Sequence, residues 1–274
     1  MQLLTIDDLL NGDPAEVETL IGKASELSEM YEQYFADDQG DAHTRLPGIH
    51  ASEVSGCERR IVYSLMNIPR VEKSASIWKR RFKMGHAVHK MLQDDFERMA
   101  GIKVNRIDFT PEATIKPCMD QPLAAKWDIQ SHTDGVFTLY EKVDGPPLCR
   151  IILEIKTEAP SSYESLKKAK EDHIEQGTIY MACLDVPLIW FLYYNKGNQN
   201  FTPTTNPNFF LRFDPRVWAK LEERFERAHI NAALKVIPPR EESVKCEFCA
   251  FSHECKPSNL NRRQYGHKSA PWGK

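Results

Sequence analysis

The chain has 274 residues, 41% hydrophobic and 27% charged, enough apolar side chain to build the core of one large domain or two small ones. No apolar run approaches a membrane span, and residues 1–8 lack the basic stretch and apolar core of a signal peptide. Seven cysteines do not suggest a disulfide framework at this length, so the expectation is a cytoplasmic protein. The net charge of −3 is unevenly split: residues 1–42 hold eleven acids and one lysine, so −10 is followed by +7. Overall acidity therefore does not exclude nucleic acid as a partner.

Residues 14–35 place Pro14 in a first turn and Val17, Leu20, Ile21, Leu27, Met30, Tyr31 and Tyr34 at mostly helical spacing, which predicts a helix. Asp37 to Asp41 reads as a linker. An acidic segment over 1–45 is thus set apart from a domain over 46–257 and a basic tail over 258–274. The acidic segment either docks on the body, covers a basic groove, contacts a partner, or is a merely solubilising amphipathic helix. Ser55 is expected to cap a helix through Ile61, Leu65 and Met66 that stops at Pro69. The clearest helix covers 76–100, where Gly85, His89, Leu92, Phe96 and Met99 share one face and point His89 inward. Upstream, Lys79, Arg80, Arg81 and Lys83 either meet phosphates or form a solvated face.

Two strands follow, one from Val136 to Tyr140 and one from Cys149 to Ile155, both rich in β-branched and aromatic residues. The turn chemistry of Asp144-Gly145-Pro146-Pro147 folds them into an antiparallel hairpin that sets Asp134 within a residue of Glu154. Side chains alternate along a strand, so Glu154 and Lys156 point the same way. Two adjacent carboxylates repel, and a divalent cation that prefers oxygen ligands relieves that repulsion, polarises a phosphoryl oxygen and acidifies a water. The lysine then holds the water or meets the charge developing on the phosphate. The plain alternative is a salt bridge on a solvated face; Ile151-Ile152-Leu153 and Ile155, which read as buried on both faces, argue against it.

Beyond the hairpin, residues 162–183 read as one helix with Leu166, Ala169, His173, Gln176 and Tyr180 along a face. Val186 to Tyr194 reads as a central strand, Phe209 to Phe213 as a short one, and Pro215 to about Leu234 as a helix. The order of elements predicts an α/β domain with a mixed sheet. No phosphate-binding Gly-x-x-x-x-Gly-Lys loop is present, so no ATP-driven motor is visible. Cys246-x-x-Cys249-x5-Cys255 is a metal signature lacking a fourth ligand. His253 is the local candidate, though crowded against Cys255, and Cys57 is the distant one.

Taken together, these residues resemble the PD-(D/E)XK nuclease superfamily, and within it the RecB-like exonucleases that carry an iron–sulfur cluster, a group that includes CRISPR-associated enzymes and phage relatives. The resemblance covers about residues 52–257. It rests on Gly85-x-x-x-His89, Asp134-Gly135, Glu154-Ile155-Lys156, Gln176-x-x-x-Tyr180 and the one-plus-three cysteines. It implies a restriction-endonuclease-like core with DNA as substrate. It further implies that His89, Asp134, Glu154 and the Ile155 carbonyl bind Mg²⁺ or Mn²⁺, that Lys156 activates the attacking water, and that Gln176 and Tyr180 orient the substrate or the lysine. A 4Fe-4S cluster on Cys57, Cys246, Cys249 and Cys255, joining the two ends of the domain, is implied as well. Two other readings stay open from the residues: a non-catalytic DNA-binding subunit of a nuclease complex, and an interaction protein stabilised by Zn²⁺ at the cysteines.

Overall fold

The structure is a computed structural model that describes residues 13, 15, 29–31, 33, 46–71, 76–102, 106–142, 145–241, 246 and 249–255. The chain divides into two compact units, residues 1–44 with 74–84, and residues 45–73 with 85–274. In the first, Ala15, residues 29–31, Gln33 and residues 76–84 are helical. The rest of the helix expected over 14–35, the acidic linker and the basic tail lie outside the described residues.

The second unit begins with α1 (Glu58–Leu65) and takes α2 (Ser76–Ala100) from Gly85 onward. There follow β1 (Ile107–Pro111), β2 (Thr114–Ile115), α3 (Pro122–Trp127), β3 (Ser131–His132), β4 (Gly135–Tyr140), β5 (Pro147–Glu158), α4 (Pro160–Ser165), α5 (Glu171–Leu184), β6 (Leu188–Asn195), β7 (Phe210–Arg212) and α6 (Pro215–Ala233). Five strands form one mixed sheet in the order β1-β4-β5-β6-β7, and β2 pairs with β3 separately. The β4–β5 hairpin is antiparallel with Gly135 opposite Leu153, whereas β5 and β6 run parallel with Lys156 opposite Tyr193. A parallel pair needs a crossover, and α4 and α5 supply it.

Alternation along β5 builds two cores from one strand. Ile152 joins Val136, Ile189, Phe191 and Tyr193 on the face covered by residues of α1, α5 and α6. Ile151, Leu153 and Ile155 join Phe137, Trp190 and Leu192 on the other face, against Val88, Leu92 and Phe96 of α2. Residues 151–155 are all buried, as expected for a strand covered on both sides, and each such aliphatic side chain contributes on the order of 1.5–3 kcal/mol. By the same parity Glu154 and Lys156 face α5.

Two expectations need correction. The helix over 162–183 is broken, because Ala169 N–H donates to Asn208 O at 3.0 Å and Lys170 N–H to Tyr193 Oη at 2.9 Å instead of to a helical ladder. Leu166 and Ala169 are therefore outside α5. The strand after it lies inside the sheet, as expected, between the middle strand β5 and the three-residue β7. Finally, α1 is entered from Cys57, whose carbonyl accepts from Arg60 N–H at 3.0 Å, and not from Ser55. Among the described residues no helix is long and apolar enough to cross a membrane.

Candidate active site

The register of β4 against β5 brings Asp134, the residue before β4, alongside Glu154. Gly135 permits this approach, since a Cβ there would lie 2.3 Å from the Phe109 ring. Asp134 Oδ2 accepts the Ile155 backbone N–H at 2.6 Å, and its Oδ1 lies 2.9 Å from His89 Nδ1. Gln93, one turn after His89 on α2, donates to the Asp134 carbonyl at 2.8 Å. Asp134 is thereby tied to the α2 side of the sheet.

Glu154 and Lys156 are tied to the α5 side. Lys156 Nζ sits 2.7 Å from Glu154 Oε1 and donates to Gln176 Oε1 at 3.0 Å. The Gln176 amide nitrogen donates to Glu154 Oε1 at 2.9 Å and to Tyr180 Oη at 2.6 Å, and Ser131 Oγ reaches that phenol at 3.5 Å. α5 comes this close because of Gly177: a Cβ there would meet Ile189 at 2.6 Å and Phe191 at 2.7 Å. Gly85, by contrast, is not needed for close approach, as its Cβ would make ordinary contact with Thr157 at 3.7 Å.

Burial pushes the Glu154 carboxyl up to about 7, the nearby Asp134 charge adds to the rise, and Lys156 opposes both. Burial alone would lower Lys156, but the Glu154 charge and hydrogen bond outweigh it and leave the ammonium above its ordinary value. His89 is raised in the same manner, burial being outweighed by Asp134. Burial drives Tyr180 well above the ordinary phenol, so it stays protonated.

The donor set of two carboxylates and an imidazole suits a divalent cation. Among the described residues, no three His, Cys, Asp or Glu side chains are gathered about one point. Each donor is engaged with protein: Asp134 with His89 and Ile155, Glu154 with Lys156 and Gln176. A cation would take the place of some of these partners.

Of the residues singled out in the sequence, His89, Asp134 and the Ile155 backbone N–H form one hydrogen-bonded group, and Glu154, Lys156, Gln176 and Tyr180 form a second, the two meeting where Asp134 lies alongside Glu154. His173 is in neither: its Nδ1 pairs with Tyr193 Oη at 2.6 Å. Gln93 joins the first group and Ser131 the second, and Gly177 leaves room for α5 to approach, none of the three having been singled out. Gln93 falls four residues after His89, a helical repeat that marks it in retrospect.

The second cluster lies at the start of α1. Cys57, Cys246, Cys249 and Cys255 line one pocket together with Arg59 and Arg60, and His253 does not line it. Burial raises the Cys249 thiol, and Cys246 and Cys255 add to the rise. The pocket collects four thiols without closing them on a single ion; tetrahedral zinc, with Zn–S near 2.3 Å, needs sulfurs about 3.8 Å apart. Four thiols around one pocket fit a metal–sulfur group.

No family model matches the chain, and no curated protein matches it. Solved structures give partial likenesses. The crystal structure of LHK-Exo in complex with dAMP is 17% identical with a TM-score of 0.46, over 70% of this chain and 91% of that one. That of SSO0001 is 14% identical with a TM-score of 0.45, over 84% and 95%. The alkaline exonuclease LHK-Exo from Laribacter hongkongensis is 17% identical with a TM-score of 0.46, over 75% and 94%. At that level the functional reading rests on the chain's own residues.

Proposed function

We propose that the chain is a divalent-metal-dependent deoxyribonuclease of the PD-(D/E)XK type, acting as an exonuclease on single strands or DNA ends in recombination, repair or phage DNA processing. The observation that carries the reading is the meeting of Asp134, Glu154 and Lys156 at one end of the β4–β5 pair, with the lysine held by Glu154 and Gln176. His89, Asp134, Glu154 and the Ile155 carbonyl would hold Mg²⁺ or Mn²⁺. When bound, the cation polarises a phosphoryl oxygen and makes water more acidic.

The chain's own residues do the rest. Lys156, protonated and fixed at two points, orients a water on the phosphate or meets the negative charge that develops there. Gln176 holds Glu154, Lys156 and Tyr180 in register, so one amide positions both the carboxylate and the ammonium. His89 fixes Asp134 from α2, and its nitrogen suits Mn²⁺ better than Mg²⁺. Cys57, Cys246, Cys249 and Cys255 would hold a 4Fe-4S cluster that ties the C-terminal segment to α1, a structural role that removes chain entropy from the unfolded state. His253 does not line that pocket, which supports Cys57 over His253 as the fourth ligand.

Linear and circular DNA, single- and double-stranded, incubated with the full chain and Mg²⁺, Mn²⁺ or chelator test the proposal. Metal-dependent loss of linear but not circular DNA is expected. Retention of DNA without cleavage would favour the non-catalytic binding subunit, and neither binding nor cleavage would favour the zinc-stabilised interaction protein.

A further inference from the structure

Resting on the reading of the four cysteines as holders of an iron–sulfur cluster, we propose that Arg59 balances the charge of that group, bracing the Cys255 sulfur and favouring the reduced cluster. Arg59 lies in the first turn of α1, two residues past Cys57. Its Nη1 donates to Cys255 Sγ at 3.2 Å while its Nε donates to Pro238 O at 2.9 Å. One side chain thus fastens two points of the C-terminal segment to the helix that Cys57 leads. Arg60 and Arg240 line the same pocket, and Glu241, which also lines it, opposes them. Arg60 is engaged with Glu53, 2.7 Å from its Oε1. Arg59 has a hydrogen bond to a sulfur.

A neutral thiol is a weak acceptor and gives little reason to hold a guanidinium against it. A thiolate bound to a cluster gives a strong one, because N–H···S bonds and fixed positive charge stabilise electron-rich sulfur. Arginine keeps its proton under all working conditions, so this charge does not switch off. Reduction adds one electron, and one negative charge, to the cluster. A fixed positive charge beside a ligand sulfur lowers the energy of the reduced form more than that of the oxidised form. Arg59 therefore raises the reduction potential, and by holding Cys255 it slows loss of iron.

The full chain, reconstituted without oxygen with iron and sulfide, is titrated with dithionite in the presence of mediators and followed by visible absorption. Arg59→Gln is expected to shift the midpoint to a more negative value and to bleach faster in chelator. Arg216→Gln, an exposed control whose guanidinium pairs with Asp214 at 3.0 Å, is expected to match the parent. A midpoint and bleaching rate for Arg59→Gln equal to the parent's overturn the proposal while leaving the cluster in place. A parent that takes up no iron, or holds zinc, overturns the cluster reading and this proposal with it. Should Arg59→Gln fail to take up iron, Arg59→Lys decides, since it keeps the charge but not the two-point fork: a midpoint near the parent's with faster bleaching in chelator supports the proposal, and bleaching as slow as the parent's, or a midpoint that falls although the charge is kept, overturns it.

Discussion

Replacing Gln176 by leucine isolates the polar network of the site from its packing. Leucine keeps most of the volume, so little cavity is created, and what is lost is hydrogen bonding. Glu154 Oε1 loses a donor at 2.9 Å, Lys156 Nζ loses an acceptor at 3.0 Å, and the Tyr180 phenol loses a donor at 2.6 Å. Hydrogen bonds to charged groups contribute about 1.5–3 kcal/mol each, and the two charged partners are left under-satisfied in a buried place. Burying the leucine side chain returns about 1.5–2 kcal/mol. The Lys156–Glu154 pair at 2.7 Å survives and limits the damage. The net loss is about 1–4 kcal/mol, an order-of-magnitude range. Urea denaturation followed by tryptophan fluorescence, with chelator present to remove any metal contribution, measures it. Tyr180→Phe, which removes one uncharged group, should cost less, and the double variant should show coupling between the two positions. A Gln176→Leu protein as stable as the parent within about 0.5 kcal/mol would mean that the network does not hold these side chains, and the account of the site would fail with it.

Gly135→Ala should destabilise by about 1–3 kcal/mol in the same assay, since its Cβ would strike the Phe109 ring at 2.3 Å; an unchanged midpoint would mean that β1 gives way freely. Burial pushes the Cys183 thiol up to about 12, so at pH 8 it stays protonated, and mass spectrometry after iodoacetamide should find it unmodified in the native chain; rapid alkylation would contradict its burial. His89→Ala should weaken activation by Mn²⁺ more than by Mg²⁺, whereas equal loss or none would reduce His89 to a packing residue. Deleting residues 1–42 takes the formal charge from −3 to +7 and should tighten DNA binding and steepen its salt dependence; identical affinity and slope would show that the segment does not screen the remainder.

The hairpin was legible because two local signals agreed: alternation set which side chains share a face, and Gly145-Pro146-Pro147 set where the chain turns. Together they placed Asp134 beside Glu154, which the pairing of Gly135 with Leu153 repeats. The break before α5 was not legible. Leu166 and Ala169 sit at helical spacing, but their segment is held by Asn208 O and Tyr193 Oη, partners about 40 and 23 residues away that no local pattern names. The interior place of β6 was legible from its unbroken apolar run, but not its rank beside the middle strand β5, nor that β7 covers its outer edge with only three residues. Gln93 was missed because an amide on an inward helical face looks like a polar residue out of place until its carbonyl partner, Asp134 O, is known.

The central claim is that Glu154 and Lys156 perform metal-dependent hydrolysis of DNA. Its most direct test is the rate of label release from 5′- and 3′-end-labelled DNA by the parent, Glu154→Ala and Lys156→Ala chains, at matched Mg²⁺ and Mn²⁺ and with a chelator arm. Circular dichroism on each sample confirms that the fold survives. The account predicts release by the parent that stops with chelator, and none above background from either variant in either metal. Full activity from either variant at matched metal concentration would contradict it.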